Sequence, residues 1–511
     1  MNQNKPELIF GIIAKIGTDI DKVMGLITHE LTQLEYEPVP IKLTNLMKNK
    51  SITAKLENTI VKTPVEKRYE SSMDACNELR EKVGNKSMAN LAIMGITKER
   101  KIWEKQKIKP PRAYIVRQFK RKEEIQLMRQ VYGDRFIVIS CYSPREARCD
   151  WLASQMAKLH HTHDPKLFRA EAEALILRDE DEGNDTSGQQ VRNAFPLADV
   201  IINAQNTTLA EETLENFFNV FFGNPRYSPT KDEYGMYMAS SAALRSTDLS
   251  RKVGAAIFTK GLEVITLGCN EVPKPSGGTY LQDDAKKTGL DGRDVAIGHD
   301  ANAHFKRRIA ADAVGKISKL VGNEIKDEDI DSFVDKHLYG KDSALDSLLI
   351  MDLTEFGRAV HAEMNALTDA ARLGRATKGA TLYCTTFPCH NCAKHIVASG
   401  IDRVVYIQPY PKSRAAELYP GSISIDPKDV PIGKVLFQTH TGIAPHLYKR
   451  VYDDFKKKNK RGDVIEWSKK TAQPKINIYN IGFEDNERGA TRLFTKNLKL
   501  VPDPKQSRKP K

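Results

Sequence analysis

The first half of the chain alternates short apolar runs with amphipathic stretches. Residues 7–14 form an apolar run, and Asp19–Leu34 then places Ile20, Val23, Ile27 and Leu31 at helical spacing. Further short apolar runs predict strands at Leu91–Met94, Ala113–Gln118, Phe136–Cys141 and Val200–Asn203. Strands that alternate with helices predict an α/β fold with a parallel sheet covered on both faces.

A second pattern begins near Thr230. It predicts, in order, helix Asp232–Arg245, a hairpin of Val253–Phe258 and Leu262–Gly268, helix Arg358–Arg372, strand Ala380–Cys384, helix Cys389–Ser399 and strand Arg403–Gln408. Residues 273–357 are rich in Gly, Asp and Lys with two short helical stretches, which is typical of an insertion. We therefore predict an N-terminal domain at 1–225, a second domain at 226–453 and an extension at 454–511.

Composition narrows the class of protein. The chain has 511 residues, of which 40% are hydrophobic and 28% charged, with a net charge of +13. These values exclude a fibrous repeat, a mostly disordered chain and a polytopic membrane protein. Seven cysteines in a chain of this length are no disulfide framework, and the early apolar run is too short for a signal peptide. We expect a reducing, cytoplasmic location and no membrane partner.

The extension at 454–511 is strongly basic. It carries 16 lysines and arginines against 7 acidic residues. Such a run is typical of a solvated face, and it is also compatible with RNA binding.

One group of residues has the spacing of a metal site. His361 lies on a predicted helix, and Cys389 and Cys392 lie three residues apart at the start of the next one, after Pro388. Two thiolates in a first helical turn point the same way, and an imidazole adds a third Zn²⁺ ligand. Three protein ligands leave the open position of a catalytic zinc, whereas a fourth ligand such as Cys384 or His390 would close a structural one.

Glu363 decides between these two kinds of zinc site. It is two residues from His361, on the same helical turn, and it can reach a water molecule at the open position without being a ligand. A water molecule on zinc has its pKa lowered to about 7. The spacing His-x-Glu with Pro-Cys-x-x-Cys is the signature of zinc deaminases, and it favours Glu363 as the catalytic acid and base.

These motifs resemble the cytidine/deoxycytidylate deaminase superfamily over roughly residues 230–450. Segments 250–255, 268–273 and 385–392 carry the resemblance together with the His-Ala-Glu triplet. It implies an α/β/α sandwich around a five-stranded mixed sheet. It also implies that Asn270 contacts sugar and base, that the Ala362 backbone meets the pyrimidine edge, and that no redox cofactor is needed.

Several basic side chains flank the predicted site. Arg245, Arg251 and Lys252 surround the hairpin, and Lys412 and Arg414 follow the strand after the zinc helices. Arginine forks suit phosphate groups, so these residues are candidates for substrate binding, with a solvated face as the ordinary alternative. Tyr410 is a candidate for stacking on the base, or for a place in the core.

The loop after the first strand resembles a phosphate-binding loop. A complete motif needs Gly-x4-Gly-Lys-Ser/Thr, but counting from Gly11 places Ile16 at the sixth position and Gly17 at the seventh, so the lysine is missing before Thr18. Gly11, Gly17 and Thr18 are therefore candidates for nucleotide binding by a degenerate form of this loop. Main-chain donors at the helix start could still hold a phosphate.

A degenerate P-loop kinase-like domain before a deoxycytidylate-type deaminase resembles the layout of the bacterial anti-phage dCTP deaminases. This resemblance implies conversion of dCTP and dCMP to their uracil forms, a homo-oligomer such as a hexamer, a small inhibitory RNA and a nucleotide effector at the N-terminal domain. The alternatives are a housekeeping dCMP deaminase, a deaminase of RNA or single-stranded DNA, and a nucleotide sensor with a structural zinc.

Overall fold

The computed structural model describes residues 5–106, 111–180, 190–284, 289, 291–322, 325–340, 343, 348–410, 412–427, 432–453, 457–476 and 482–498. These residues form two compact units. The first comprises the described residues up to Glu233 and those from Thr441 onward, and the second comprises Tyr234–His440.

The strands of the described residues build one sheet in each unit. They are β1 (Leu8–Ala14), β2 (Glu37–Lys42), β3 (Arg112–Phe119), β4 (Phe136–Tyr142), β5 (Val200–Asn203), β6 (Gly254–Phe258), β7 (Val264–Cys269), β8 (Thr381–Thr386), β9 (Arg403–Gln408), β10 (Ile423–Ile425), β11 (Val435–Thr439) and β12 (Gly442–Ile443).

The helices cover these sheets or link their strands. They are α1 (Ile20–Gln33), α2 (Leu43–Leu46), α3 (Lys50–Thr53), α4 (Val65–Val83), α5 (Ser87–Gln106), α6 (Lys122–Tyr132), α7 (Arg145–Leu159), α8 (Arg169–Glu180), α9 (Val191–Ala194), α10 (Thr207–Phe221), α11 (Lys231–Ala243), α12 (Asp294–Ile297), α13 (Ala301–Leu320), α14 (Asp327–Leu338), α15 (Ala362–Arg372), α16 (His390–Ala398), α17 (Ala415–Leu418), α18 (Pro445–Tyr452) and α19 (Phe483–Asn497).

The first sheet confirms the predicted α/β class. Its order is β12-β5-β4-β1-β3-β2, and all neighbours are parallel except β12, which runs antiparallel to β5. Every residue of β1 is buried, because β1 is central and α1 and α10 contribute to the core beside it. The strand order changes direction at β1, and in such sheets this is where ligand crevices form.

The C-terminal segment is part of the first unit, which corrects the predicted boundary at residue 453. Gly442 and Ile443 pair with Ile201 and Val200 of β5, and the Ala444 amide donates to the Asp199 carbonyl. Further along, the Trp467 indole donates to the Phe222 carbonyl at 2.8 Å. Gly442 and Ile443 therefore complete the first sheet, and the described part of the basic extension packs on the core of the same unit instead of forming a separate tail.

Two local predictions in the first unit also differ from the structure. Leu91–Met94 is not a strand but lies inside α5, because a short apolar run buried in a helix has the same pattern as a buried strand. Conversely, β2 was not predicted, since it contains Pro38 and Pro40. Proline is tolerated there because β2 lies at the edge of the sheet.

The second unit is built on a mixed sheet of order β10-β11-β9-β8-β6-β7. The β6–β7 hairpin and the β6–β8 pair are antiparallel, whereas β8, β9, β11 and β10 are parallel. The sheet has six strands, whereas the resemblance implies five. The short strand β10 lies at its edge. The insertion is more helical than predicted: α13 has 20 residues and packs on α14 around Ala310, Val334 and Leu338.

Candidate active site

Two helix starts bring the candidate metal ligands together. His361 is the N-cap of α15, and Cys389 is the N-cap of α16, where its Sγ accepts the Cys392 amide at 3.4 Å. The helix α15 lies close against β7, since a Cβ added to Gly268 would come 2.2 Å from the Ala362 carbonyl oxygen. Helix N-termini favour negative charge, which suits thiolates at this position.

The three donor atoms have the spacing of a zinc site. His361 Nδ1 lies 3.3 Å from Cys389 Sγ and 3.4 Å from Cys392 Sγ, and all three atoms lie within 4.8 Å of one another. Usual zinc–sulfur and zinc–nitrogen bonds in a tetrahedron give nitrogen–sulfur edges of about 3.6 Å. Sulfur and imidazole nitrogen are ligands that Zn²⁺ prefers, so this donor set fits the ion.

Neither proposed fourth ligand joins this cluster. Among the described residues, the donor group consists of His361, Cys389 and Cys392 alone. The Cys384 thiol donates to the Val405 carbonyl at 3.8 Å, and His390 is not part of the group. Three protein ligands are the arrangement of catalytic zinc sites, so the geometry favours a catalytic site over a closed structural one.

The electrostatics of the cluster also suit a cation. The hydrogen bond with the Cys392 side chain, with His361 acting in the same direction, lowers the pKa of Cys389 to about 4. The hydrogen bond to Cys389 in turn raises the pKa of His361 to about 9. The shift at Cys389 favours its negatively charged form, and the thiolate is the form in which a cysteine binds a metal ion.

Glu363 lies in the same pocket as the cluster. The pocket has a volume of about 220 Å³, and His361, Ala362, Glu363 and Cys389 are part of its lining. Glu363 is only 4% exposed, and burial, followed by the charge of Cys389, raises the pKa of its carboxyl group. A raised pKa brings a carboxyl group closer to the range in which acid–base catalysis is most effective.

Asn270 lines the pocket, but its amide is already engaged with the backbone. Its Oδ1 accepts the Val253 amide at 2.7 Å, and its Nδ2 donates to the Arg251 carbonyl at 2.9 Å. The residue thus fixes the segment before β6 that carries Arg251. One Nδ2 hydrogen is left for a ligand, so the predicted contact with sugar and base stays a prediction.

Two arginines line the pocket. The Arg251 guanidinium lies over the Tyr410 ring, 5.1 Å from its centre. Tyr410 also lines the pocket, and its predicted contact with the base stays a prediction. Arg358 was not predicted as a site residue, and it donates through Nη1 to Asp294 Oδ1 at 2.6 Å. The insertion therefore contributes to the pocket through Asp294. In the sequence, the only signal for Arg358 is that it lies three residues before His361.

The other predicted basic residues lie outside the pocket lining. Arg245 donates to the Thr279 hydroxyl at 3.3 Å, and Lys252 is exposed. Lys412 pairs with Asp352 at 2.5 Å, and Arg414 lies 3.6 Å from Glu417. The structure therefore does not bring these four side chains to the candidate site.

The candidate nucleotide-binding residues of the first unit separate into two groups. Gly17 and Thr18 line a pocket, whereas Gly11 lies in the middle of β1 and is not part of that lining. A Cβ at Gly11 would come 2.7 Å from the Phe136 ring, so ring packing explains this glycine.

Comparison with known families identifies the class of domain. Residues 229–408 match the family described as the cytidine and deoxycytidylate deaminase zinc-binding region. The matched range includes Glu363 and all three candidate ligands. Most of the second unit is therefore similar to the cytidine and deoxycytidylate deaminase zinc-binding region.

Several relatives of known name match part of this chain. Deoxycytidylate deaminase of Enterobacteria phage T2 is 49% identical over 55 residues, which are 11% of this chain and 29% of the phage protein. Deoxycytidylate deaminase of Schizosaccharomyces pombe is 28% identical over 228 residues, which are 44% of this chain and 51% of the yeast protein. The chain thus spans less than a third of the phage relative and about half of the yeast one.

Among solved structures, dCMP deaminase from the cyanophage S-TIM5 in its apo form aligns with 41% of this chain and 98% of that chain. Its sequence identity is 16% and its TM-score 0.22, which is too low to support an argument. No helix among the described residues combines the length and the apolar character that crossing a membrane requires.

Proposed function

We propose that this protein is a zinc-dependent deaminase of deoxycytidine nucleotides, converting dCMP and dCTP to dUMP and dUTP. The observation that carries the proposal is the buried Glu363 in one pocket with an open His/Cys/Cys donor set. The matched relatives named deoxycytidylate deaminase support dCMP as a substrate.

The reaction replaces an amino group by an oxygen. One water molecule is consumed, a carbon–oxygen bond forms at C4 of the base, the C4–nitrogen bond breaks, and ammonia leaves. In this proposal His361, Cys389 and Cys392 hold a zinc ion, which supplies Lewis-acid activation of water when it is bound. Glu363 accepts one proton from the water molecule and donates it to ring nitrogen 3. It then accepts the second proton from the new hydroxyl group at C4 and donates it to the departing amino group, so that the carboxylate returns to its starting form.

The remaining residues of the pocket hold the nucleotide. The Ala362 backbone, at the first turn of α15, faces the pyrimidine edge. Arg251 and Arg358 supply positive charge for the phosphate groups, and their planar forks suit phosphate oxygens. Asn270 keeps the Arg251 segment in place through its two backbone hydrogen bonds.

The experiment is a steady-state assay of the purified full chain with dCMP, dCDP, dCTP and CTP, following ammonia and the uracil product. Turnover of dCMP or dCTP that stops on zinc chelation and returns with added zinc supports the proposal. A zinc-loaded chain that releases no ammonia from any of them contradicts it. A cytosine-containing oligonucleotide as a further substrate tests the alternative of a nucleic-acid deaminase.

The finer part of the proposal is depletion of dCTP in anti-phage defence. It rests on the sequence resemblance to anti-phage dCTP deaminases, whereas the relatives named deoxycytidylate deaminase are equally compatible with a housekeeping dCMP deaminase. Phage plating and dCTP measurement in cells that express the parent chain or Glu363→Ala separate the two. Protection that needs Glu363 together with a fall in dCTP supports the defence role.

The partners in this proposal are a second copy of the chain and a small RNA. Both come from the same resemblance, with a hexamer as the expected oligomer. Light scattering of the purified chain tests the oligomer, and sequencing of RNA that copurifies with it tests the RNA.

A further inference from the structure

Glu271 lies two residues after β7 and is almost completely buried, with 2% of its surface exposed. It is not part of the lining of the candidate active-site pocket, and no lysine or arginine among the described residues forms an ion pair with it. Burial of a carboxylate without a paired cation is costly unless hydrogen bonds stabilise its charge. The groups that donate to its two oxygens therefore indicate its role.

Both carboxylate oxygens of Glu271 accept hydrogen bonds. Oε2 accepts the Thr247 amide at 2.8 Å and the Thr247 hydroxyl at 2.7 Å, and Oε1 accepts the Val272 amide at 2.9 Å. Bonds to an ionised acceptor are about twice as strong as bonds between neutral groups. Glu271 therefore fixes Thr247, which lies 24 residues earlier in the chain.

Thr247 is the first residue of a segment that we term the arginine loop, residues 247–251. The other four residues of this loop line the pocket. At the far end of the loop, Asn270 donates through Nδ2 to the Arg251 carbonyl at 2.9 Å. The neighbours Asn270 and Glu271 thus hold the two ends of the arginine loop.

The place of the Arg251 side chain depends on this loop. Its guanidinium lies over the Tyr410 ring and forms no ion pair with any residue that the structure describes, whereas Arg358 is paired with Asp294. The Arg251 amide is bonded to Asp248 Oδ1 at 3.2 Å, so the backbone of the loop is fixed where the side chain begins. Of the two arginines that line the pocket, Arg251 is therefore the one whose charge a substrate phosphate would balance.

The backbone of Glu271 is bonded to the segment that leads into the candidate metal site. Its amide donates to the Val360 carbonyl at 3.3 Å, and the Val360 amide donates to the Glu271 carbonyl at 3.0 Å. Val360 directly precedes His361, and Glu363 follows in the first turn of α15. One residue thus holds the arginine loop with its side chain and the catalytic segment with its backbone.

We propose that Glu271 is a positioning residue for the substrate phosphate. Through Thr247 it fixes the distance between the arginine loop and the catalytic segment, so that Arg251 meets the phosphate while the base lies beside Glu363. This inference rests on the proposed deamination of deoxycytidine nucleotides and gives Glu271 no contact with the substrate. A positioning role of this kind affects phosphate binding more than the chemical step.

The first test is Glu271→Gln, which keeps the size of the side chain. A side-chain amide has one oxygen and one NH₂ group, so a donor must then face the amide of Thr247 or of Val272. We expect KM for dCMP to rise about fivefold to tenfold, with kcat within about threefold of the parent. Deoxycytidine, which has no phosphate, should inhibit both proteins with the same inhibition constant.

The decisive measurement is the same substitution in the Arg251→Ala background. If Glu271 acts through Arg251, Glu271→Gln should there change KM for dCMP by less than about twofold. An equal rise of KM in both backgrounds would overturn the proposal, as would a parental KM in Glu271→Gln alone. A zinc-loaded parent that does not turn over dCMP would instead refute the proposed function, and this inference with it.

The matched control is Asp426→Asn. Asp426 holds another threonine of the second unit in the same way, because its Oδ1 accepts the Thr439 amide at 2.9 Å and its Oδ2 accepts the Thr439 hydroxyl at 3.1 Å. It is not part of the pocket lining, so KM should stay at the parental value. A rise of KM equal to that of Glu271→Gln would mean that loosening the fold is enough, and would overturn the proposal.

Thr247→Val keeps the test decisive if Glu271→Gln does not fold. It removes only the hydroxyl that donates to Glu271 and leaves the bond from the Thr247 amide in place. We expect KM for dCMP to rise about threefold in the parent and to stay unchanged in Arg251→Ala. A parental KM in Thr247→Val, or the same rise in both backgrounds, would refute the positioning role.

Discussion

Arg358 and Asp294 form a 2.6 Å ion pair in the lining of the pocket that contains Glu363. Arg358 also donates through Nη2 to the Gly292 carbonyl at 2.8 Å. Both partners belong to the insertion, and Arg358 leads directly into the turn that carries His361. The insertion thus holds a cation at a fixed place in the pocket, where a nucleotide phosphate can meet it.

Loss of this pair should weaken substrate binding more than it slows the chemical step. In Asp294→Ala the guanidinium loses the carboxylate that orients it, and in Arg358→Ala the cation itself is gone. We expect a rise in KM for dCMP of about tenfold in Arg358→Ala, corresponding to one charge-assisted contact, with kcat within about threefold of the parent. Steady-state kinetics measure both.

Asp335→Ala is the matched control for Asp294→Ala. Asp335 pairs with Arg307 in the same insertion at 2.8 Å but is not part of the pocket lining. Its removal should leave KM unchanged. If both aspartate variants raise KM equally, the insertion acts through its folding and not through Arg358.

Glu363→Gln should nearly abolish turnover while zinc stays bound. The substitution keeps the size of the side chain but removes the group that moves protons, and positioned acids and bases contribute about 10²–10⁴-fold. We expect a loss of kcat at or above the top of that range, with the zinc content of the parent by elemental analysis. Turnover within tenfold of the parent would exclude Glu363 as the proton carrier.

Zinc content should distinguish two buried cysteines of the second unit. Cys392 belongs to the donor group, whereas Cys384 donates to a backbone carbonyl. Cys392→Ala should therefore lose most of its zinc and its activity, because two ligands hold the ion poorly. Cys384→Ala should keep both, and a loss of zinc from it would mean that the site is a closed four-ligand one.

The predicted elements that agree with the structure are those whose signal is local. The apolar run of β1 and the helical spacing of α1 depend on neighbouring residues, so the sequence pattern was enough. β2 and β10 were missed because one contains two prolines at a sheet edge and the other has only three residues. The pairing of β12 with β5 joins segments more than two hundred residues apart, which periodicity cannot indicate.

In the candidate site, too, the residues with a local sequence signal were predicted, and those that depend on distant contacts were not. His361, Glu363, Cys389 and Cys392 form a motif of fixed short spacings, so they could be singled out from the sequence. The contact between Arg358 and Asp294 spans 64 residues and depends on how the insertion folds. Arg245 had the right charge and position in the sequence, yet its side chain points to Thr279, which only the packing determines.

Asp199 should make the first unit less stable at acid pH. It is 4% exposed and accepts hydrogen bonds from His446 at 2.8 Å and from the Val138 amide at 2.7 Å. Burial opposes its charge, but these bonds together with Arg129 keep the pKa of Asp199 below its ordinary value. The stabilisation that ionised Asp199 gives the folded state is therefore complete above about pH 3.9, the pKa of an aspartate in the unfolded chain. It is lost as the pH falls through the lower pKa that Asp199 has in the folded protein.

The comparison that tests this is urea unfolding of the parent and Asp199→Asn across pH 3 to 7. The three tryptophans, Trp103, Trp151 and Trp467, all lie in the first unit, so their fluorescence reports on it alone. We expect Asp199→Asn to cost about 1–3 kcal/mol at neutral pH, with the difference shrinking below about pH 4. Asp150→Asn, which breaks an exposed pair with Arg169, should change little at any pH.

The C-terminal segment should prove necessary for the first unit. Ile443 is 1% exposed in β12 and packs in the core of the first sheet, whereas Val464 is 64% exposed further along the same segment. Ile443→Ala should lower the free energy of unfolding by about 2–5 kcal/mol, because it leaves a cavity in that core. Val464→Ala should change it by no more than about 0.5 kcal/mol. Urea unfolding followed by tryptophan fluorescence measures both, and equal stability of the two variants would mean that β12 is not part of the folded sheet.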